Sequence, residues 1–304
     1  MRNTNELGTA AGVRGGNRIE DLLAIGRSTI RGSDVTLREV RELLGAISGL
    51  DSTMLYAYPE LELGSDASAQ FRAGLTRLLA GEPLAYLTGY REFFGRRFLV
   101  TTDTLVPRPE TECLVALALR QMEETSGCAV LDLGTGTGAI ILTLAAETAP
   151  IDRSATAPHR FTAVDRSTTA LDVARTNAGR LGVTEVSFHH GDWFAPLDGA
   201  QFDIIVSNPP YVESDFEGLS GALRFEPASA LAAGSDGLDD IRRIIADAPR
   251  HLTAGGWLAL EHAPWQGRAV RALMEEAGLV AVATSHDLGE RERVTHARKP
   301  GTAG

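Results

Sequence analysis

Four consecutive residues, Asn208, Pro209, Pro210 and Tyr211, have the types and spacing to handle a planar nitrogen. An amide or amine nitrogen must have its N–H groups held by acceptors before its lone pair can point at an electrophile. The Asn208 side-chain oxygen supplies one acceptor and the Pro209 backbone carbonyl a second. Pro209 and Pro210 have fixed φ and no N–H, so the loop stays stiff and adds acceptors without competing donors. Tyr211 offers a flat aromatic face to a planar group. The tetrapeptide follows the apolar run Phe202 to Ser207, which reads as a buried parallel strand. The carboxyl end of such a strand is where open α/β sheets bind their ligands.

A second constellation lies upstream. The run Ala129 to Leu133 reads as a strand, Gly134-Thr135-Gly136-Thr137-Gly138 as a turn, and Ala139 to Ala145 as a helix. Glycines at this turn let the backbone approach a nucleotide-like cofactor closely. With Ala139 the stretch also fits a dinucleotide fingerprint. The next strand, Phe161 to Asp165, ends in an acid placed to accept both hydroxyls of a ribose. Asp165 lies farther past the first glycine than the ~20 residues usual for NAD sites. The polar stretch Asp152 to His159 reads as the loop insertion that supplies the extra length. A third strand, Glu185 to His189, leads to Asp192 and Trp193, an acid beside an aromatic that suits an adenine.

The order of these elements resembles class I S-adenosylmethionine-dependent methyltransferases acting on planar nitrogen. Further segments are similar to the HemK/PrmC family of release factor N5-glutamine methyltransferases: Pro83 to Gly89, Glu92 to Gly95, and Val106 to Glu112. Arg224 to Pro227, Ala230-Leu231, Gly237-Leu238, Leu260 to His262, Gln266-Gly267 and Glu292 to Thr295 continue the likeness, which covers roughly 19–298. The resemblance implies a Rossmann-like α/β fold with a mostly parallel seven-stranded sheet and a small N-terminal helical domain. It implies S-adenosyl-L-methionine as cofactor, S-adenosyl-L-homocysteine as product, and the glutamine of the Gly-Gly-Gln motif of class-1 peptide chain release factors as acceptor. The site residues it implies are Asn208, Pro209, Pro210 and Tyr211 for substrate and catalysis. Gly134 to Gly138, Asp165, Asp192, Trp193 and Asn208 would hold the cofactor. Glu110 and Glu112 are candidates for ordering the cofactor end, and Arg108 for pairing with a structural acid. One departure is Ala263, where the family usually has glycine after the histidine; the segment Ala263-Pro264 is expected to lie away from the Asn208 loop.

Composition agrees with a large globular enzyme. The 304 residues are 43% hydrophobic and 23% charged, with a formal net charge of −11. That acidity counts against a broad phosphate-tracking surface, and so against stable nucleic-acid binding. No apolar run reaches the ~18 residues of a membrane span, no secretory h-region opens the chain, and a cytoplasmic location is expected. Cys113 and Cys128 read as core thiols, and the seven histidines show no metal-ligand spacing. We expect a disordered tail at 1–16, a helical substrate-docking domain at 17–82, a connector at 83–105 with a hairpin turning at Gly95-Arg96, and the methyltransferase domain at 106–298. In the helical part, Thr36 and Glu39 have capping-box spacing. Residues 66–79 put Phe71, Leu75, Leu78 and Leu79 on one face. Two end segments, 279–286 and 293–297, read as β-strands that supply an antiparallel seventh strand. Other readings are an N5-glutamine methyltransferase of a ribosomal protein, an adenine N6-methyltransferase of nucleic acid, and an NAD-binding oxidoreductase. The last leaves the Asn-Pro-Pro-Tyr loop unexplained.

Overall fold

The computed structural model describes residues 16–123, 127–149, 158–214 and 221–301. The expected tail, apart from Gly16, and most of the expected 152–159 insertion lie outside the described residues. The chain forms two compact units, Met1–Thr88 and Gly89–Gly304.

The first unit is helical: α1 (Ile19–Thr29), α2 (Leu37–Ser48), α3 (Ser52–Ala57), α4 (Ser65–Leu79) and α5 (Leu84–Thr88). The Thr36 hydroxyl accepts from the Glu39 N–H, and Glu39 accepts from the Thr36 N–H, so the capping box starts α2 as its spacing requires. Apolar residues three and four apart on α1, α2 and α4 meet in one core around Ile19, Leu22, Leu43, Leu44, Phe71 and Leu75. Leu84 and Leu87 of α5 pack against the same core, which is why this unit runs to Thr88.

The second unit opens with the hairpin β1 (Tyr90–Phe93) and β2 (Arg96–Leu99). Its turn is Phe94-Gly95, one residue earlier than expected, with Phe93 opposite Arg96. Both turn residues have positive φ, +49° and +71°, the conformation whose twist matches a two-residue hairpin. The Phe94 N–H donates to the Glu112 carboxylate at 2.8 Å, which offsets the strain of a non-glycine residue there.

After a 3-10 turn at Pro109–Thr111 come α6 (Glu112–Glu123), β3 (Ala129–Leu133), α7 (Ala139–Glu147), β4 (Arg160–Asp165), α8 (Thr168–Leu181), β5 (Val186–His190) and β6 (Phe202–Ser207). Then follow α9 (Asp239–His251), β7 (Leu252–Glu261), α10 (Gly267–Glu276), β8 (Val280–His286) and β9 (Glu292–Arg298). The seven-stranded sheet has the order β5-β4-β3-β6-β7-β9-β8. β3 to β7 run parallel, and β9 inserts antiparallel between β7 and β8. Both faces are covered: one cluster holds α6 and α7 residues such as Leu114 and Ile141, the other α9 and α10 residues such as Ile241, Ile244 and Val270. Parallel strands buried on both faces explain the unbroken apolar runs. The chain goes from β3 outward to β4 on one side and returns to β6 on the other. That reversal opens a crevice at the carboxyl ends of β3 and β6.

Candidate active site

A cleft lies in that crevice. Gly134 to Thr137, Asp165, Asp192, Trp193, Asn208 and Pro210 line it, together with Arg108 and Thr111. Gly138 is not in its wall; with φ +81° it turns the chain into α7.

The Gly-rich turn is fixed from both ends. The Gly134 and Thr135 N–H groups donate to the Val164 carbonyl at the end of β4. The Thr135 hydroxyl donates to the buried Asp132 carboxylate at 2.6 Å. Burial pushes the Asp132 carboxyl up to about 7. At Gly134, where φ is +72°, a Cβ would sit 3.3 Å from the Trp193 ring. The turn and the indole therefore approach as closely as a missing side chain allows. The Gly136 N–H donates to Asp165 Oδ2 at 2.8 Å, and the Ser167 N–H to Oδ1 at 2.9 Å. Both carboxylate oxygens are thus oriented by one donor each and keep acceptor capacity for two more. Burial is the main cause that raises the Asp165 carboxyl above the usual range.

Asp192 and Trp193 reach the cleft with ties to α9. Asp192 pairs with Arg243, and the Trp193 indole N–H donates to Asp240 at 3.2 Å. Asn177 of α8 is a residue that sequence reasoning missed. Its amide oxygen accepts from the Leu99 N–H at 2.7 Å, and its nitrogen donates to the Leu99 and Thr137 carbonyls at 3.0 and 2.9 Å. It therefore ties the hairpin to the Gly-rich turn.

The Asn208 loop begins where β6 ends, with the Ser207 hydroxyl donating to the Leu133 carbonyl at 2.7 Å. The Asn208 amide nitrogen donates to the Thr111 hydroxyl at 3.1 Å, which leaves its oxygen as the open acceptor. Pro209 is buried and absent from the cleft wall. Tyr211 is absent from it too: its hydroxyl donates to Glu261 at 3.2 Å, and its ring packs with the α9 side of the core. Its expected face is taken up by packing, and burial beside Glu261 holds the phenol well above its ordinary range.

The segment after β7 is not remote from this loop, contrary to expectation. Gln266 donates to the Tyr211 carbonyl at 3.0 Å while accepting from the Ala263 N–H at 3.0 Å. The backbone lets Gln266 reach because Pro264–Gln266 forms a 3-10 turn. Glu261 closes β7 fully buried. Burial lifts its carboxyl to about 7, and the Thr111 hydroxyl, Arg293 and Tyr211 oppose this only in part. An acid at the end of an apolar strand was the signal available for it in the sequence. Arg108 pairs with the buried Glu226 at 2.5 Å, as a structural acid requires. Glu112 holds the hairpin turn, and neither Glu110 nor Glu112 lines the cleft. Among the described residues no cluster of His, Cys, Asp or Glu could hold a metal ion, and no helix is long and apolar enough to cross a membrane.

Residues 21–89 match the PrmC N-terminal domain family and residues 124–292 the methyltransferase domain family. A release factor glutamine methyltransferase of Xylella fastidiosa is 46% identical over 252 residues, 83% of this chain and 89% of that protein. One from Escherichia coli is 42% identical over 272 residues, 89% and 95% respectively. Among solved structures, the hMettl16 catalytic domain in complex with an RNA hairpin superposes with a TM-score of 0.55 at 15% identity, covering 74% of this chain and 84% of that one. A T. Thermophilus 16S rRNA N2 methyltransferase in complex with AdoMet and guanosine gives 0.50 at 22% identity, covering 69% and 49%. These two likenesses concern the fold alone. The sequence relatives extend across both units.

Proposed function

The chain belongs to the release factor glutamine methyltransferase family, and from that premise we propose how it transfers a methyl group from S-adenosylmethionine to the side-chain amide nitrogen of the glutamine in the Gly-Gly-Gln motif of class-1 release factors. The observation that carries the reading is Asn208. It stands at the cleft rim with its nitrogen bound to Thr111 and its oxygen left to accept.

The residues fit the cofactor. Asp165 has two oxygens already oriented by Gly136 and Ser167, the arrangement that suits a pair of ribose hydroxyls. The Gly134 turn and the Trp193 ring form a cradle that a side chain at 134 would fill. Thr135, Gly136 and Thr137 continue the wall, Gly138 sets the turn into α7, and Asp192 reaches the adenine end while paired with Arg243. When bound, S-adenosylmethionine supplies an electrophilic methyl group.

The acceptor amide is a poor nucleophile because its lone pair is delocalised, so positioning and electrostatics do the work. The Asn208 oxygen accepts one amide N–H; Pro209 is buried outside the cleft wall, so its part is confined to its backbone carbonyl, which would accept the other once the substrate is seated. As nitrogen gains positive charge its N–H groups become stronger donors, so both acceptors bind the transition state better than the ground state. Pro210 gives the acceptor plane an apolar wall, and Tyr211 supports the loop from behind. The proton leaves to water after transfer. The helical unit docks the protein substrate, and the reaction takes place in the cytoplasm.

The test is incubation with labelled S-adenosylmethionine and three acceptors: intact release factor, ribosomal protein and total nucleic acid. Mass spectrometry should find the methyl on the Gly-Gly-Gln glutamine. A methyl on adenine and none on glutamine would overturn the reading.

A further inference from the structure

Asn208 can help an amide only if its oxygen, and not its nitrogen, faces the acceptor. An asparagine side chain is nearly symmetric in shape, so the choice rests on the hydrogen-bond network behind it. That network is short. The Asn208 nitrogen donates to the Thr111 hydroxyl at 3.1 Å, and Thr111 is 4% exposed. A hydroxyl has one hydrogen. If it accepts from Asn208, its own hydrogen must find another acceptor. The Glu261 carboxyl offers an acceptor with free capacity. It is fully buried at the end of β7, it already accepts the Tyr211 hydroxyl on Oε1, and its Oε2 lacks a partner among the described residues. Thr111 acts on this carboxyl to favour its ionised form, and Oε2 is left to accept.

We propose that Glu261 is a positioning residue: as an acceptor-only carboxylate it draws the Thr111 hydrogen, which obliges Thr111 to accept from Asn208 and so turns the Asn208 oxygen to the acceptor amide. The inference rests on the role given to Asn208 above. A protonated Glu261 could donate to Thr111 instead, and the direction of every bond in the chain would then be free to reverse. Other groups face this carboxyl or its partners: Arg293 on β9, Glu110 of the 3-10 turn, Cys113 on α6, His262 next in the chain, and Arg108 beside Tyr211. Arg293 favours the ionised form and Glu110 opposes it. Because burial raises this carboxyl to about 7, its ionised form gains ground as pH rises through that value.

The experiment uses the full chain with intact release factor and saturating S-adenosylmethionine, comparing wild type with Glu261→Gln, Thr111→Val, the double variant and Asn208→Ala. A glutamine at 261 can present either end of its amide to Thr111, so it no longer enforces a direction. Glu261→Gln should lower kcat roughly ten-fold, less than removal of the direct acceptor costs. Its calorimetric affinity for S-adenosylmethionine should stay within two-fold of wild type. Wild-type kcat should rise with pH along a limb centred near 7 that Glu261→Gln lacks. The double variant should be no slower than Thr111→Val, because both changes cut one path. Multiplying losses, an unchanged pH limb, or a kcat loss matched by weaker cofactor binding would overturn the proposal. If Asn208→Ala itself transfers normally, the reading of Asn208 falls. If Asn208→Ala is inactive while Glu261→Gln and Thr111→Val are not, the relay alone falls.

Discussion

Asp165 shows how a single residue is prepared before its ligand arrives. Its two oxygens already hold the Gly136 and Ser167 N–H groups, so in the proposed cofactor site a ribose would meet a carboxylate that need not reorient. Hydrogen bonds to a charged group are worth about 1.5–3 kcal/mol each. Asp165→Ala should therefore weaken S-adenosylmethionine binding by roughly 10²-fold or more. An unchanged affinity by calorimetry would remove Asp165 from the site. Asp132 behind it carries a different consequence. Its folded carboxyl lies near 7, above the ~3.9 of an unfolded chain. The folded state thus holds this proton more tightly. The stability this contributes is full below about pH 4 and is lost as pH rises through about 7. Asp132→Asn removes the ionisation while keeping an oxygen for the Thr135 hydroxyl. Its unfolding midpoint relative to wild type should be more favourable at pH 8 than at pH 5. An equal difference at both values would count against this titration.

At the scale of elements, the parts readable in the sequence are those whose cause is local. The turn from β3 to α7 announces itself by three glycines within five residues, and each has positive φ, at +72°, +54° and +81°. The capping box of α2 spans four residues and forms as spaced. The parts that were not readable join distant segments. Gln266 reaches Tyr211 across 55 residues of sequence, and Asn177 reaches Leu99 across 78. Neither residue type announces a role, and only the sheet order brings the partners together. The hairpin turn was misplaced by one residue because glycine marks a turn, not which side of it the partner residue lies on. Gly237 belongs to the same hidden group. At φ +69° it passes so close to the Asn208 loop that a Cβ would lie 2.2 Å from the Tyr211 carbonyl oxygen and 2.8 Å from the Gln266 nitrogen. Gly237→Ala adds backbone strain of about 1–3 kcal/mol and pushes the loop away. Methyl transfer should fall by roughly 10²-fold, since a displacement on the order of 1 Å can cost that much. Cofactor affinity should change only a few-fold, because the Gly-rich turn and Asp165 stand on other strands. Single-turnover transfer and calorimetry on one preparation separate the two effects, and full transfer activity would show that the loop does not depend on Gly237.

For the whole molecule, the alternation of strands and helices makes the fold class legible, while substrate docking is not written in any motif. The residues that line the cleft belong to the second unit. The helical unit has its own core and exposes Tyr56, Tyr58, Met54 and Leu61, apolar side chains that its fold does not bury. A unit with its own core and exposed apolar side chains suits the substrate-docking role proposed above. Two-point attachment raises the effective concentration of a mobile glutamine loop at Asn208 without any new contact at the reacting atoms. A short Gly-Gly-Gln peptide lacks the second point. It should be methylated with a kcat/KM at least 10²-fold below that of intact release factor. Removing residues 1–88 should erase most of that difference, provided the shortened chain retains S-adenosylmethionine affinity and a cooperative unfolding transition as proof that it folds. The loss should fall on KM for the intact factor, with the rate on the peptide unchanged. Equal kcat/KM for peptide and intact factor in the full chain would mean that the glutamine loop is recognised at the cleft alone, and the helical unit would then need another explanation.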